Sequence, residues 1–541
     1  MLTSLPAKVL LLLTAGVISA TAQSPDLILH NGHIFTGTST HLWVQAVSIS
    51  GDHVLAVGTD TEVMSCADKH TQVVDLHGAM AMPGINDSHD HVGGAPFSIE
   101  VHTKLPAQAD PSIAEVAEAI HGAAVAAKPG EWVTAEVGPA LIRHPEETRV
   151  AMDEAAAGHP VFLAAWWGHG ILLNTPGLAK LGIDNSIRDI PGGHYDRDAH
   201  GHLTGLLEEN TGNAIRRRLY SQMGVGPAIP PFREYAMQRL EQGVTSVQVM
   251  ATNQKLSELE KVFVQAETPL RLRIMRFPMP AEDVLDKERT STGEQVLTPL
   301  VRVAGVKWVL DGTPIEELAY QTKDYADRPG WRGRPNFERQ FIEEQLRAAL
   351  NGRDQLIFHI VGDAMTDQVL DQMEKLAKAE LWRPLRVRFE HGDGFTTPER
   401  MERAKRLGIV IGQPRPGRPF RALLAAGVPL AAGVPLAYGS DAGMAPFFMF
   451  ARMTDAHDPN SISREQALAV LTSGSAYAEF KEKEKGTLAP GMLADIAVLS
   501  QDAMTAPIDK LPGTKSILTI VGGKVVYRSN GAGALAVSSG R

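Results

Sequence analysis

Ala81-Met-Pro-Gly-Ile-Asn-Asp-Ser-His-Asp-His91 is an apolar run that ends in two histidines separated by one residue. Residues i and i+2 of a strand project to the same face. His89 and His91 therefore leave the carboxyl end of such a strand together, where two imidazoles can share one metal ion. Taken alone, two histidines this close are often a surface accident. The pair gains weight from four residues placed at wide spacing later in the chain. Lys307 lies in Val306-Lys-Trp-Val-Leu-Asp-Gly312, His359 in Leu356-Ile-Phe-His-Ile-Val-Gly-Asp363, His391 in Val387-Arg-Phe-Glu-His-Gly-Asp393, and Asp441 in Leu436-Ala-Tyr-Gly-Ser-Asp-Ala-Gly443. Each sits in or just after a short apolar run of strand character.

Eight such runs occur: Met80 to Ser88, Gly243 to Met250, Leu270 to Met275, Gly305 to Leu310, Gln355 to Ile360, Leu385 to Glu390, Gly408 to Gln413 and Val434 to Tyr438. Helical patterns separate several of them. Ile342, Leu346 and Ala349 share one face, as do Val369, Leu370, Met373 and Leu376. Thr397 before Pro398 reads as an N-cap, Glu399 adds a carboxylate to the first turn, and Gly408 stands at the C-cap position. Alternating strands and helices predict a TIM (β/α)8 barrel, an α/β fold whose active site lies at the carboxyl ends of its strands. The candidate ligands fall near those ends, with Lys307 nearer the start of its run.

Outside the barrel, residues 81–480, the two termini carry more strand-like runs broken by glycines. Residues 23–80 and 481–541 each hold too few strands for a sandwich, which predicts one composite β-sandwich domain built from both ends. Lys481-Glu-Lys-Glu-Lys485 reads as a solvated connector, and the Gly/Ala/Ser-rich tail after Ser529 as loose. From Gly93 to Gln242 the chain makes a long insertion with its own helix (Ile113, Val116, Ala117, Ile120) and a buried strand, Pro160 to Trp167. An excursion this long at the catalytic end suits a lid or specificity subdomain. The repeated Ala-Ala-Gly-Val-Pro-Leu at Ala425 to Leu436 is too short to be a repeat architecture.

The chain has 541 residues, is 44% hydrophobic and has a formal net charge of -10, enough length for a large core and more than one domain. With no basic block, nucleic acid and anionic membrane surfaces are excluded as main partners, leaving a small-molecule substrate. Residues 1–22 read as a signal peptide: Lys8 gives the positive region, Val9 to Ala20 the apolar stretch, and Ala20-Thr21-Ala22 the cleavage motif. The apolar stretch falls short of the ~20 residues needed to span a bilayer. The reading is export to the periplasm or outside, with no stable anchor after cleavage. The single cysteine, Cys66, excludes an intrachain disulfide and reads as a small core residue. A homo-oligomer is compatible with this composition.

Pro83-Gly84 with Asp87-Ser-His-Asp-His91, the later Lys, His, His and Asp, and the closing Gly486-Thr-Leu-Ala-Pro-Gly-Met-Leu-Ala-Asp-Ile-Ala-Val498 resemble the metal-dependent amidohydrolase superfamily. More narrowly, the chain resembles amidohydrolase family 3, which includes N-substituted formamide deformylases. That likeness rests on Pro160-Val-Phe-Leu163, Gly168-His-Gly-Ile-Leu-Leu-Asn-Thr-Pro-Gly-Leu178, Gly201-His-Leu-Thr-Gly-Leu-Leu-Glu208 and Val306 to Gly312. The resemblance implies a divalent metal, zinc in type, one or two per chain. His89, His91 and Asp441 would bind the more buried ion. His359 and His391 would hold a second ion or orient water and substrate. Lys307 matches a lysine that binuclear members carboxylate to bridge two metals, although here it could instead pair with Asp311. Asp441 would pass the proton from water to the leaving nitrogen.

His169 and Asn174 in the insertion are candidate substrate residues, although Asn174 also fits a structural turn. Thr313-Pro-Ile-Glu-Glu-Leu318 departs from the Ser/Leu/Gly-rich loop with an arginine that many relatives carry. Its Glu316 could favour a cationic substrate or open a helix. These readings leave three functions open: an exported hydrolase of an amide or formamide C–N bond, a mononuclear deaminase of a cyclic amidine, and a non-catalytic periplasmic binding protein on the same fold.

Overall fold

The computed structural model describes residues 24–279, 293–352, 354–412, 419–425, 436–441, 443–530 and 537–539. The proposed signal peptide and most of the Ala425 to Leu436 duplication lie outside them. Among the described residues no helix is long and apolar enough to cross a membrane.

Eight parallel strands form the central sheet in chain order: β1 (Ile85–Asp90), β2 (Val244–Met250), β3 (Arg271–Arg276), β4 (Val301–Val309), β5 (Leu356–Ile360), β6 (Arg388–His391), β7 (Val410–Gly412) and β8 (Leu436–Ala437). The sheet nearly closes on itself, because Ser88 N–H donates to the Tyr438 carbonyl at 2.7 Å and Asp441 N–H to that of His89 at 2.9 Å. This is the expected (β/α)8 barrel. Its helices pack the predicted faces inward: Ile342, Leu346 and Ala349 are buried, as are Val369, Leu370 and Met373. Thr397 caps its helix by accepting from Arg400 N–H at 3.3 Å, and Gly408 closes it with φ +72°.

Two further sheets join the chain's ends. One runs in the order Lys524–Arg528, Ser516–Val521, Ile496–Leu499, Met80–Pro83, His33–Phe35, Trp43–Val44. It shares a buried core with a sheet of amino-terminal strands, in which Leu29, Val47 and Val74 meet Ala81, Ile496, Val498 and Leu518. The run from Met80 to Ser88 is thus two strands rather than one. The break falls at Gly84, where a Cβ would stand 2.2 Å from Thr245 Oγ1, so the chain bends between the two sheets at a point with no room for a side chain.

The insertion forms its own sheet, in the order Gly193–Arg197, Leu203–Glu209, Ile171–Leu173, Val161–Ala165, Trp132–Val137, Ser98–Val101. Helix Ile113–Ala126 covers it, burying Val116 and Ile120 against Val133 and Leu163.

Three local expectations are corrected. Cys66 is exposed. Lys485 is no solvated connector: it is buried, 2.8 Å from both Glu479 and Ser246 Oγ, because a carboxylate inside the barrel floor requires a cation. In the tail, Val537–Ser539 pairs antiparallel with Gln72–Val74, so the last segment adds an edge strand.

Candidate metal centre

His89 is buried at the end of β1, and its Nδ1 lies 2.5 Å from Glu390 Oε2 on β6. Glu390 in turn accepts from Arg388 Nε at 2.9 Å. Burial alone would raise the Glu390 carboxyl, but the Arg388 guanidinium and His89 hold it well below the usual carboxylate range. An ionised acceptor at Nδ1 fixes the proton there and leaves the lone pair on Nε2. His91 is treated in the same way. Its Nδ1 lies 2.8 Å from Thr252 Oγ1, just past β2, and its Nε2 lies 3.1 Å from His89 Nε2. Burial and the neighbouring His89 push His91 down to about 3, which keeps the ring neutral.

Asp441 completes the group. Its Oδ1 lies 3.5 Å from His89 Nε2 and 3.4 Å from His91 Nε2. Ser440 N–H donates to Asp87 Oδ1 at 2.9 Å, and Asp87 is ion-paired with Arg239, so the ends of β1 and β8 are tied together. The three ligand atoms lie within 4.8 Å of one another. Two imidazole lone pairs and a carboxylate oxygen converging on one point suit a divalent cation, because the other nitrogen of each ring is already engaged.

His359 on β5 and His391 on β6 form the neighbouring pair, with His391 Nε2 at 2.8 Å from His359 Nδ1. The His391 ring centre lies 5.5 Å from that of His89. Lys307 sits near the carboxyl end of β4, because that strand begins at Val301, before the start expected from sequence. Burial brings Lys307 down to about 8, against the upward pull of Glu390 and Asp441. The alternative pairing of Lys307 with Asp311 does not form: the Asp311 carboxylate accepts from the N–H groups of Val361, Gly362 and Tyr320 at 3.0, 2.7 and 3.0 Å. His391 and Asp441 both have positive φ, 72° and 47°, a strained backbone of the kind held at functional sites.

The insertion and the β4 loop supply a second group. His169 Nδ1 lies 3.0 Å from both carboxylate oxygens of Glu209, and its ring centre is 4.4 Å from that of His359. Burial opposes a charge on His169, yet Glu209 outweighs it, with help from Glu316 and Asp441, and pushes the ring up to about 9. Glu316 opens no helix. It accepts from Trp167 Nε1 at 2.6 Å and Thr313 Oγ1 at 2.5 Å, and its other oxygen accepts from Thr313 N–H, which leaves a closed hydrogen-bond network. Asn174 is not in this group. It is buried and caps helix Thr175–Leu181, accepting from Gly177 and Val161 N–H at 2.9 and 2.8 Å and donating to the His159 carbonyl at 3.0 Å. These three bonds all go to backbone groups of the insertion.

Sequence reasoning missed Glu390, Thr252 and Glu209. Glu390 was visible as the residue before His391, but its facing His89 depends on how β6 curls round to β1. Glu209 and Thr252 carried no local signal.

The sequence profile of the amidohydrolase family matches residues 72–527. The chain belongs to that family. As an amidohydrolase family protein it is a metal-dependent hydrolase acting on carbon–nitrogen bonds, and the groups above are its candidate metal-binding residues. Among curated relatives, it is 25% identical to the N-substituted formamide deformylase of Arthrobacter pascens, over 94% of this chain and all (100%) of that protein. It is also 25% identical to Protein LONG AFTER FAR-RED 3 of Arabidopsis thaliana, over 93% of this chain and 91% of that one. An uncharacterized metal-dependent hydrolase from Pyrococcus furiosus shares the fold, with a TM-score of 0.63 at 21% identity over 88% of this chain and 100% of the other.

Proposed function

We propose that this amidohydrolase is exported and cleaves a small amide, formamide or related non-peptide C–N bond, using one or two zinc-type ions. The reading rests on the convergence of His89 Nε2, His91 Nε2 and Asp441 Oδ1, with the opposite nitrogens of both rings held by Glu390 and Thr252. An ion held there would polarise the scissile carbonyl and acidify water. Asp441, whose side chain is 27% exposed, takes the proton of the attacking water and returns it to the leaving nitrogen. His391 and His359 orient the water and substrate or hold a second ion, which Lys307 would bridge as a carbamate. His169 faces the substrate with Glu209 behind it, and Glu316 braces that wall.

A second reading is a single-ion deaminase of a cyclic amidine. The observation favouring it is that His89, His91 and Asp441 converge as a complete three-ligand group in which Lys307 takes no part.

Metal content per chain tests both readings, using protein purified without chelator as wild type and Lys307→Ala. Two ions falling to one or none support the bridged hydrolase and lead to an amide and formamide screen. One ion, unchanged by the substitution, moves the deaminase forward. No ion, with none taken up on titration, sinks both. Export predicts a mature chain that begins at Gln23, which amino-terminal sequencing of the secreted protein would read.

A further inference from the structure

Two residues past β4, Asp311 has no exposed surface, and both of its carboxylate oxygens accept from the main chain. Oδ1 takes the Val361 N–H at 3.0 Å, and Oδ2 takes those of Gly362 at 2.7 Å and Tyr320 at 3.0 Å. Val361 and Gly362 are the second and third residues after His359. Just before that junction the two strands are paired, with Val309 beside His359 and Leu310 N–H donating to the His359 carbonyl at 3.1 Å. The backbone of His359 is therefore held twice, at its own carbonyl by the end of β4 and at the following N–H groups by Asp311.

The third donor belongs to the long segment that follows β4. The Tyr320 carbonyl accepts in turn from Ala364 and Met365 N–H at 3.1 and 3.3 Å, in the first turn of helix Asp363–Leu376. Gly362 sits at this crossing, where a Cβ would stand 2.0 Å from the Tyr320 oxygen. Gly312, next to Asp311, leaves room on the other side. A Cβ there would stand 2.6 Å from Glu316 Oε1 and 3.0 Å from Glu209 Oε1, and Glu209 is the carboxylate that holds His169. Asp311 and Gly312 thus serve both members of one contact, the His169 and His359 rings with centres 4.4 Å apart. Three N–H donors spread over two oxygens need an acceptor at both, which a carboxylate offers and a side-chain amide does not.

We propose that Asp311 is a positioning residue of the metal centre, holding the end of β5 so that His359 keeps its place against His169 and His391. His391 Nε2 lies 2.8 Å from His359 Nδ1, so a shift of the β5 end reaches that pair first. The proposal rests on the C–N hydrolase reading above and adds to it a residue that acts only through the backbone.

The test is a double-mutant cycle on the full chain, stripped of metal and titrated with cobalt, followed by calorimetry and visible absorption. Asp311→Asn keeps the shape of the side chain but turns an NH2 group toward at least one N–H. It should weaken cobalt binding about 10- to 100-fold, as His359→Ala should. The variant carrying both substitutions should bind cobalt no more weakly than His359→Ala alone. Thr397→Ala, which removes a helix cap elsewhere on the barrel, should lower the melting temperature and leave the titration unchanged. Should Asp311→Asn fail to fold, Gly362→Ala strikes the same junction from the Tyr320 side and should give the weakened titration. A wild-type titration in Asp311→Asn, an equal loss in Thr397→Ala, or additive losses in the double variant would each overturn the proposal and leave Asp311 a loop staple. The cobalt readout is independent of turnover. The expected cycle with no amide turned over keeps the positioning role and removes the hydrolase reading. Amide turnover with an unaltered Asp311→Asn titration does the reverse.

Discussion

Glu390 Oε2 meets His89 Nδ1 at 2.5 Å in a place closed to solvent, and Arg388 fixes the other carboxylate oxygen from the far side. Glu390→Gln keeps an acceptor but removes the charge, which should weaken metal binding about 10- to 100-fold. The substitution also strands Arg388, at a folding cost of about 3–5 kcal/mol. The double variant Arg388→Met/Glu390→Gln should recover stability without recovering metal affinity. Chelator competition and denaturant melts separate the two effects, and unchanged metal affinity in both variants would remove Glu390 from the site.

Gly412 on β7 lies directly against that carboxylate. A Cβ there would stand 2.5 Å from Glu390 Oε2 and 2.7 Å from Oε1, too close for either atom to stay. Gly412→Ala should therefore shift Glu390 and weaken metal binding severalfold, although residue 412 lies on a different strand from every candidate ligand. Spectroscopic titration with cobalt would show it as a weaker and altered complex, whereas a wild-type titration curve would refute the steric link.

Asn174 discriminates structure from substrate contact. All the bonds seen for its side chain go to backbone groups of the insertion. Asn174→Ala should cost about 2 kcal/mol of stability through the lost cap and the stranded amide. KM and kcat should hold at temperatures where the variant stays folded. A raised KM with unchanged melting would return Asn174 to the substrate site.

Acid should loosen the barrel floor. Burial would raise the Glu479 carboxyl, yet Lys485 and Arg302 outweigh it and hold it at about 2, below its ordinary 4.5. A carboxyl whose folded pKa is depressed adds stability that is fully present above the unfolded value and is lost as pH falls through the folded one. Its contribution should thus fade between about pH 4.5 and 2. Denaturant midpoints across that window should fall more steeply for wild type than for Glu479→Gln, and parallel slopes would count against the assignment.

The barrel was legible because its strands are apolar runs of the right length, and because ligands at their ends punctuate them. Patterns that repeat locally survive the absence of a partner in view. Lys307 was placed too early because Val301 to Ala304 continue a strand whose alternation is interrupted by Gly305. Lys485 looked solvated because a Lys-Glu alternation resembles a surface, and only the fold brings Glu479 beneath it. Asn174 in Asn-Thr-Pro-Gly carried a turn pattern beside the substrate reading, and its cap on helix Thr175–Leu181 bears out the structural alternative. The His169 to Glu209 contact brings a loop of the insertion and the end of strand Leu203–Glu209 against a barrel histidine, and no spacing in the chain encodes it.

Met80–Pro83 lies between His33–Phe35 and Ile496–Leu499, so one interior strand of that sheet has a neighbour from each end of the chain. On the ribosome, the first neighbour is available at once and the second only after the whole barrel has been synthesised. Until then Met80–Pro83 is an open apolar edge on the nascent chain, the kind of edge that other chains join. Completion of this domain is therefore a late event, and a polypeptide released before Ile496 would leave that edge without its partner and in need of a chaperone.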